Sequence, residues 1–216
     1  MHVVVINGSP RARKFSNTEK ILDAFIRGME EAGASSERYA ISNRKNWEQA
    51  REAYRNNTEI LIAIPLYVEC IPGLLLEFLE TLPKKDGNTR ISFILQGGFA
   101  EASQLRCGEE FLEKLPGYLG ANYGGTLVKG DNFGIRVVEE KDVEKMTKPY
   151  QEMGKVFIQK HGFFSEETKK FSGPEYFSLP FRMFLQVIFY TIGRTRFKKV
   201  AKQWGVKVPL NYRPWK

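Results

Sequence analysis

Short runs of apolar residues alternate with longer segments in which apolar residues recur every three or four positions. The short runs predict buried strands, and the longer segments predict amphipathic helices that cover them. The predicted strands span residues 2–7, 37–42, 59–64, 90–95 and 124–129. The predicted helices span residues 16–33, 45–57, 72–82, 103–119 and 142–161. This alternation predicts an α/β fold whose parallel sheet carries helices on both faces.

Three loops that follow predicted strands are candidates for a ligand site. They span residues 8–18, 65–73 and 96–103, and each is rich in Gly, Pro, Ser or Tyr. Ligands of parallel α/β sheets bind outside the carboxyl ends of the strands. We therefore expect these loops to converge at one edge of the sheet.

The first of these loops predicts an anion site. Ser16 stands at the expected N-cap of a helix, and Glu19 stands at the capping-box position. A helix N-terminus presents unpaired N–H groups and the positive end of the helix dipole, and Arg11 and Arg13 add positive charge. These features favour a phosphorylated ligand, although Ser16 and Glu19 also fit a helix cap alone. Whether Arg13 and Lys14 turn inward or stay solvated remains open.

Known nucleotide motifs narrow the identity of this ligand. The first loop has no G-x-x-x-x-G-K-[ST] segment, which excludes a triphosphate P-loop. It also has no G-x-G-x-x-G segment, which excludes the dinucleotide fingerprint.

Taken together, the three loops resemble those of flavodoxin-like NAD(P)H-dependent FMN reductases. The matching segments are G-S-P-R at 8–11 with S-N-T at 16–18, P-L-Y at 65–67 with I-P-G at 71–73, and Q-G-G-F at 96–99. The resemblance covers about residues 1–160. It implies a flavodoxin-like three-layer fold with a five-stranded parallel sheet in the order 2-1-3-4-5, followed by a C-terminal helical extension.

The same resemblance implies FMN as the cofactor and assigns a part of it to each loop. The first loop would bind the phosphate, the second the ribityl chain and the isoalloxazine edge, and the third the pyrimidine end. The residues implied to bind FMN are Ser9, Arg11, Ser16, Asn17, Thr18, Pro65, Leu66, Tyr67, Val68, Gln96, Gly97 and Gly98. No catalytic acid–base pair is expected, because the flavin performs the redox step.

The resemblance also implies an oxidoreductase that uses NAD(P)H as co-substrate. Its acceptor would be a small molecule such as a quinone, a flavin, or a nitro or azo compound, and the protein would form a homodimer. Two alternatives remain open. One is a flavodoxin-type electron carrier that binds FMN but oxidises NAD(P)H poorly. The other is a binding or membrane-associated module that uses the fold without flavin.

Cysteine and histidine content restricts metal and disulfide chemistry. Cys70 and Cys107 are far apart and form no C-x-x-C pair, which indicates a reducing compartment, and we expect the cytoplasm. His2 and His161 are also far apart, one near the start of the chain and the other well downstream. We therefore expect neither a disulfide framework nor a metal site.

The net charge of +8 belongs entirely to the end of the chain. Residues 1–164 contain 22 Lys/Arg and 22 Asp/Glu, whereas residues 165–216 contain 11 and 3. The excess charge is therefore no argument for a nucleic-acid partner of the core. We predict an FMN-binding domain over 1–164 and a basic, aromatic-rich helical extension over 165–216.

A dense apolar stretch of 15 residues spans 179–193 within this extension. It is short for a transmembrane helix, Arg182 and Gln186 interrupt it, and basic residues follow at once. Two hypotheses remain open. The helix packs on the core or on a second subunit, which the family resemblance favours because such reductases commonly dimerise beside the flavin. Alternatively, residues 179–202 form a helix at a membrane interface.

Overall fold

A computed structural model of the chain describes residues 1–209, 211–213 and 215. The chain divides into two compact units, Met1–Glu175 and Tyr176–Lys216. The predicted extension includes Leu210, Pro214 and Lys216, which lie outside the described residues.

Five parallel strands form one sheet in the first unit, in the order β2-β1-β3-β4-β5. This order confirms the predicted flavodoxin-like architecture. The strands are β1 (His2–Asn7), β2 (Ser35–Ala40), β3 (Glu59–Pro65), β4 (Arg90–Gln96) and β5 (Asn122–Lys129).

Seven α-helices accompany the sheet within the described residues of the first unit. They are α1 (Asn17–Glu31), α2 (Trp47–Asn56), α3 (Gly73–Glu80), α4 (Arg106–Tyr118), the single turn α5 (Gly134–Val137), α6 (Glu140–Lys160) and α7 (Glu166–Phe171). Apolar residues of α1 and α6 form one core with one face of the sheet. Apolar residues of α2, α3 and α4 form a second core with the opposite face. The sheet is therefore covered on both faces, as predicted.

Alternation along β1 shows why the strand pattern is continuously apolar. Val3 and Val5 belong to the core beneath α1 and α6, whereas Val4 and Ile6 belong to the opposite core. Successive side chains of a strand point to opposite faces, so a strand covered on both faces needs apolar residues at every position.

Strand β2 begins two residues earlier than the predicted 37–42. Helix α1 ends in a turn in which the N–H of Gly33 donates to the carbonyl of Glu30 and that of Ala34 to the carbonyl of Met29. This compact turn lets the strand start at Ser35. The polar, half-exposed edge strand offers little hydrophobic signal to fix its boundaries.

Residues 165–175 belong to the first unit, so the structural division lies 11 residues beyond the predicted boundary. The Phe171 ring packs on the Tyr150 ring with centroids 5.1 Å apart. Lys129 Nζ donates a hydrogen bond of 3.0 Å to the carbonyl of Phe171. These contacts attach α7 to β5 and α6. The predicted domain boundary was placed where the net charge changes, and net charge carries no information about such contacts.

The second unit contains α8 (Leu179–Ile188), a π-helical turn over Phe189–Gly193, and α9 (Arg194–Gln203). All ten residues of α8 are exposed or partly exposed. Among the described residues, no helix has both the length and the apolar character that a membrane crossing requires.

Helices α1 and α6 cross with their backbones in close contact. A Cβ added to Gly28 would lie 1.8 Å from the carbonyl oxygen of Gln151, and one added to Gly154 would lie 2.1 Å from that of Phe25. Side chains at these positions are incompatible with the observed spacing of the helices. The crossing therefore depends on both glycines.

We predict that Gly154→Ala destabilises the protein by about 3 kcal/mol, because the added methyl group forces the two helices apart. Gly117→Ala is the matched control, since its Cβ would meet no atom within 4 Å. This control should stabilise α4 by about 0.5–1 kcal/mol. Urea unfolding followed by circular dichroism measures both changes. Equal stability of the two variants would contradict the proposed backbone contact.

Candidate functional site

A cleft of about 200 Å³ lies at the carboxyl edge of the sheet. Loops after β1, β3, β4 and β5 contribute to its walls. The residues that line it are Ser9, Arg11, Asn17, Thr18, Pro65, Leu66, Tyr67, Gln96, Gly97, Gly98, Asn132, Phe133 and Arg136.

Two hydrogen bonds between residues two positions apart fold the loop after β1. The N–H of Ser9 donates to Oδ1 of Asn7 at 2.9 Å, and the N–H of Arg11 donates to Oγ of Ser9 at 3.3 Å. Side-chain acceptors of this kind replace backbone acceptors in a tight turn. The turn buries Ser9 and leaves the Arg11 side chain along the cleft.

The N-terminus of α1 opens onto the same cleft. Ser16 is the N-cap, and its Oγ accepts a hydrogen bond of 3.3 Å from the N–H of Glu19. Asn17 and Thr18 occupy the first turn, where N–H groups have no intrahelical acceptor. Both residues line the cleft, so these N–H groups and the positive end of the helix dipole lie beside it.

Glu19 does not complete the predicted capping box. Its carboxylate is buried and accepts hydrogen bonds from Asn7 Nδ2 at 2.5 Å and from Arg13 Nε at 2.6 Å. Arg38 Nη2 lies 3.3 Å from the same carboxylate. Arg13 therefore pairs with Glu19, whereas Arg11 lines the cleft. Arg38 also pairs with Asp23 at 2.6 Å, so two guanidinium groups balance two carboxylates and Glu19 leaves no net negative charge beside the helix N-terminus.

The loop after β3 joins the cleft through Pro65, Leu66 and Tyr67. The N–H of Leu66 donates to the carbonyl of Gln96 at 2.8 Å, which continues the pairing of β3 with β4. Gln96 Nε2 in turn donates to Oγ1 of Thr18 at 3.3 Å. One chain of hydrogen bonds thus connects the second loop, the third loop and the N-terminus of α1.

A strained turn follows Tyr67. Tyr67 and Cys70 exchange two backbone hydrogen bonds of 3.0 Å each. Between them, Val68 and Glu69 have φ angles of 49° and 64°. The left-handed region is costly for any residue with a Cβ, and most of all for a β-branched one. Val68 is 94% exposed, so packing does not compensate for this strain.

The two glycines of the loop after β4 have different reasons to be glycine. A Cβ on Gly97 would lie 2.8 Å from Cδ2 of Leu105, so the packing of the protein itself favours glycine there. A Cβ on Gly98 would meet only Cβ of Phe133, at 3.7 Å. Gly98 therefore faces the open space of the cleft, where its missing side chain leaves room for a ligand.

The loop after β5 was not among the predicted site loops, and it contributes Asn132, Phe133 and Arg136 to the cleft. Asn17 Nδ2 donates to the carbonyl of Asn132 at 2.9 Å, and the Tyr150 hydroxyl donates to its Oδ1 at 2.9 Å. Burial raises the pKa of Tyr150, so its hydroxyl stays protonated and remains a donor. The signal was available, because this loop also follows the carboxyl end of a predicted strand.

Ten of the twelve residues implied to bind FMN line the cleft; Ser16 and Val68 do not. Ser16 is fully buried, and its hydroxyl is engaged as the cap of α1. The turn between Tyr67 and Cys70 leaves Val68 out of the cleft. Neither residue lines the cleft, and the role of all twelve residues in binding FMN stays a prediction.

No protein-family model matches the chain, and no curated protein matches its sequence. Solved structures do match its fold. An FMN-dependent NADH-azoreductase from Bacillus anthracis str. Ames Ancestor, in complex with FMN, has 11% identity and a TM-score of 0.54, covering 73% of this chain and 100% of the other. The NAD(P)H:quinone oxidoreductase from Methanothermobacter marburgensis has 14% identity and a TM-score of 0.53, covering 72% and 96%.

A third neighbour is an NADH:FMN oxidoreductase in its apo form, with 16% identity and a TM-score of 0.54. It covers 80% of this chain and 96% of the other. At such identities the likeness is one of fold. The first unit therefore has the flavodoxin-like α/β fold that these oxidoreductases share.

We predict that replacing Val68 by Asn together with Glu69 by Gly stabilises the protein by about 1–2 kcal/mol, since both new residues tolerate the left-handed region. The unfolding temperature should rise by about 2–8 °C. Val68→Thr is the matched control, because it remains β-branched and should leave the temperature unchanged. Differential scanning calorimetry measures both. A lower unfolding temperature in the double variant would show that the turn is not strained.

Proposed function

We propose that the chain is an FMN-binding, NAD(P)H-dependent oxidoreductase that reduces a small acceptor such as a quinone, a flavin, or a nitro or azo compound. One observation carries the proposal: a single cleft combines a helix N-terminus beside Arg11, an aromatic and apolar wall, and Gly98, whose missing side chain leaves open space. The named activities of the structural neighbours, and the FMN present in one of them, support it.

The phosphate of FMN fits the end of the cleft formed by the first loop. The Arg11 guanidinium pairs with no side chain in the described part of the chain, so its charge is available to a ligand. Ser9 supplies a hydroxyl, and the first turn of α1 supplies N–H groups at Asn17 and Thr18. This donor set is the one that a phosphate group requires.

The ring system of FMN fits the other walls. Tyr67 and Phe133 line the cleft and are 40% and 45% exposed, so each offers an aromatic surface to a ligand. The Gly98 N–H has no acceptor among the residues that the structure describes. At the pyrimidine end of the ring, this donor would stabilise negative charge that develops during reduction.

The size of the cleft indicates that part of the ligand stays accessible to solvent. Its volume of about 200 Å³ is below the ~300–1,000 Å³ of sites that enclose most of a drug-sized ligand. A molecule as large as FMN would therefore keep part of its surface outside, where NAD(P)H and an acceptor can approach. When bound, FMN would supply the electron-transfer chemistry, and the chain's residues would bind and orient it.

We predict that Arg11→Gln weakens FMN binding by about 10- to 100-fold, the effect of losing one charge-assisted hydrogen bond. Lys14→Gln is the matched control, because it removes an equal charge from the same loop but lies outside the cleft. The control should change the affinity by less than about threefold. Quenching of FMN fluorescence during titration with protein measures both. Equal losses in the two variants would refute a specific phosphate contact at Arg11.

We predict rapid bleaching of the flavin absorbance when the FMN-loaded protein is mixed with NADH or NADPH without oxygen. Stopped-flow absorbance measures the rate, and free FMN at the same concentration is the control. A rate no higher than that of free FMN would identify an electron carrier instead. Failure to take up FMN at all would favour a module without flavin. Homodimer formation and a cytoplasmic location stay predictions.

A further inference from the structure

The second unit has a charge composition unlike that of the first. Beyond Glu175 the sequence contains nine Lys/Arg and no Asp or Glu. The first unit contains 24 Lys/Arg and 25 Asp/Glu. The entire positive excess of the protein is therefore confined to about 40 residues that have no internal counter-charge.

Apolar side chains of α8 and the following π-helical turn lie on the surface. Leu179, Met183, Phe184 and Val187 are 58–71% exposed, and Phe189, Tyr190 and Ile192 are 59–72% exposed. Surfaces of this kind mark an interaction site, because an exposed apolar patch is unfavourable in water.

The few polar groups of this segment do not interrupt its apolar surface. Arg182 and Gln186 are four residues apart and therefore lie on one side of α8. The Thr191 hydroxyl donates to the carbonyl of Val187 at 2.8 Å, so the helix itself satisfies this hydrogen-bond donor. A helix with one narrow polar stripe suits an apolar medium beside water.

Basic and aromatic residues flank this apolar segment along the sequence. The exposed cations of α9 are Arg194, Arg196, Lys198, Lys199 and Lys202. Tyr176, Trp204 and Trp215 are 48–79% exposed and lie before and after the helical segment. Lys and Arg bind anionic headgroups, and Trp and Tyr favour the boundary between hydrocarbon and water.

We propose that the second unit binds the surface of a membrane that contains anionic lipids. The apolar side chains of α8 enter the boundary between headgroups and hydrocarbon, and the cations of α9 contact the headgroups. This proposal does not depend on FMN binding by the first unit.

The length of the apolar segment supports a surface location. Residues 179–193 form 15 residues of helix, about 22 Å at 1.5 Å per residue. A bilayer core is about 30 Å thick, so this segment is too short to cross it. Amphipathic helices that do not cross a membrane lie in its interface.

Charge favours a bilayer over other partners. Pairing the second units of two copies would bring together 18 basic residues without one acidic residue. A nucleic acid would complement the charge but leave the apolar surface of α8 in water. An anionic bilayer complements both features, because it offers negative headgroups above an apolar layer.

Co-sedimentation of the full-length protein with vesicles tests the proposal. We expect binding to phosphatidylcholine vesicles that contain about 30% phosphatidylglycerol, and weak binding to phosphatidylcholine alone. Binding should fall steeply at about 1 M salt, where the Debye length is about 3 Å. Absence of binding to the anionic vesicles at low salt would overturn the proposal.

Two matched quadruple variants test the role of α9. Replacing Arg194, Arg196, Lys198 and Lys199 by Gln should weaken binding to anionic vesicles by at least about 100-fold. The control replaces four exposed lysines of the first unit, Lys114, Lys145, Lys148 and Lys160, by Gln and should change binding by less than about threefold. Equal losses would show a non-specific charge effect and contradict the proposal. Circular dichroism checks that each variant is folded.

A third variant separates a membrane from a second copy of the chain. Met183, Phe184 and Val187 are replaced by Ser, which retains every charge but removes apolar surface. We expect this variant to lose vesicle binding at low salt by at least about tenfold. Analytical ultracentrifugation follows the oligomeric state in parallel. If the original protein is a dimer that ignores vesicles and the variant is a monomer, the surface is a dimer interface and the proposal is wrong.

Discussion

Backbone contact between α1 and α6 is the constraint on which the candidate site depends. Gly28 and Gly154 let the two helices approach so closely that a methyl group at either position would collide with a carbonyl oxygen. The position of α1 fixes the N-terminus that opens onto the cleft. Helix α6 carries Tyr150, whose hydroxyl donates to the Asn132 side chain in the adjoining loop after β5. The crossing therefore links the position of the α1 N-terminus to that of the loop after β5, and both line the cleft.

Electrostatic balance within the first loop is equally important. A buried carboxylate beside a helix N-terminus would by itself repel a phosphate group. Glu19 avoids this effect because Arg13 and Arg38 pair with it, while Asn7 donates a further hydrogen bond. The carboxylate is thereby used to fix the loop. Arg11 remains available to the cleft. The two loop arginines therefore have separate roles, which the sequence alone cannot distinguish because their side chains are identical.

The sequence predicted the parts of the fold that depend on local hydrophobic pattern. Continuous apolar runs located β1, β3 and β4 closely, because a strand covered on both faces leaves little choice of residue. Details that depend on tertiary contacts were not predictable in this way. The pairing of Arg13 with Glu19 forms only in the folded loop. Val68 and Glu69 adopt left-handed φ angles although neither is glycine, so the sequence does not indicate the turn that leaves Val68 outside the cleft. Residues 165–175 were assigned by charge, although packing against Tyr150 and Lys129 places them in the first unit.

The two proposals together bear on the choice of acceptor. A bilayer-bound second unit would hold the whole chain near the membrane, because both units belong to one polypeptide. Tethering of this kind raises the effective concentration of any reactant that shares the surface. Quinones with apolar chains partition into bilayers, whereas flavins stay in water. If the second unit binds a membrane and the first reduces an acceptor, the rate of reduction rises most for an apolar acceptor that is dissolved in the lipid, because its effective concentration near the protein rises most. Membrane binding would then act on the chemistry through the location of the acceptor, with no change in the cleft itself.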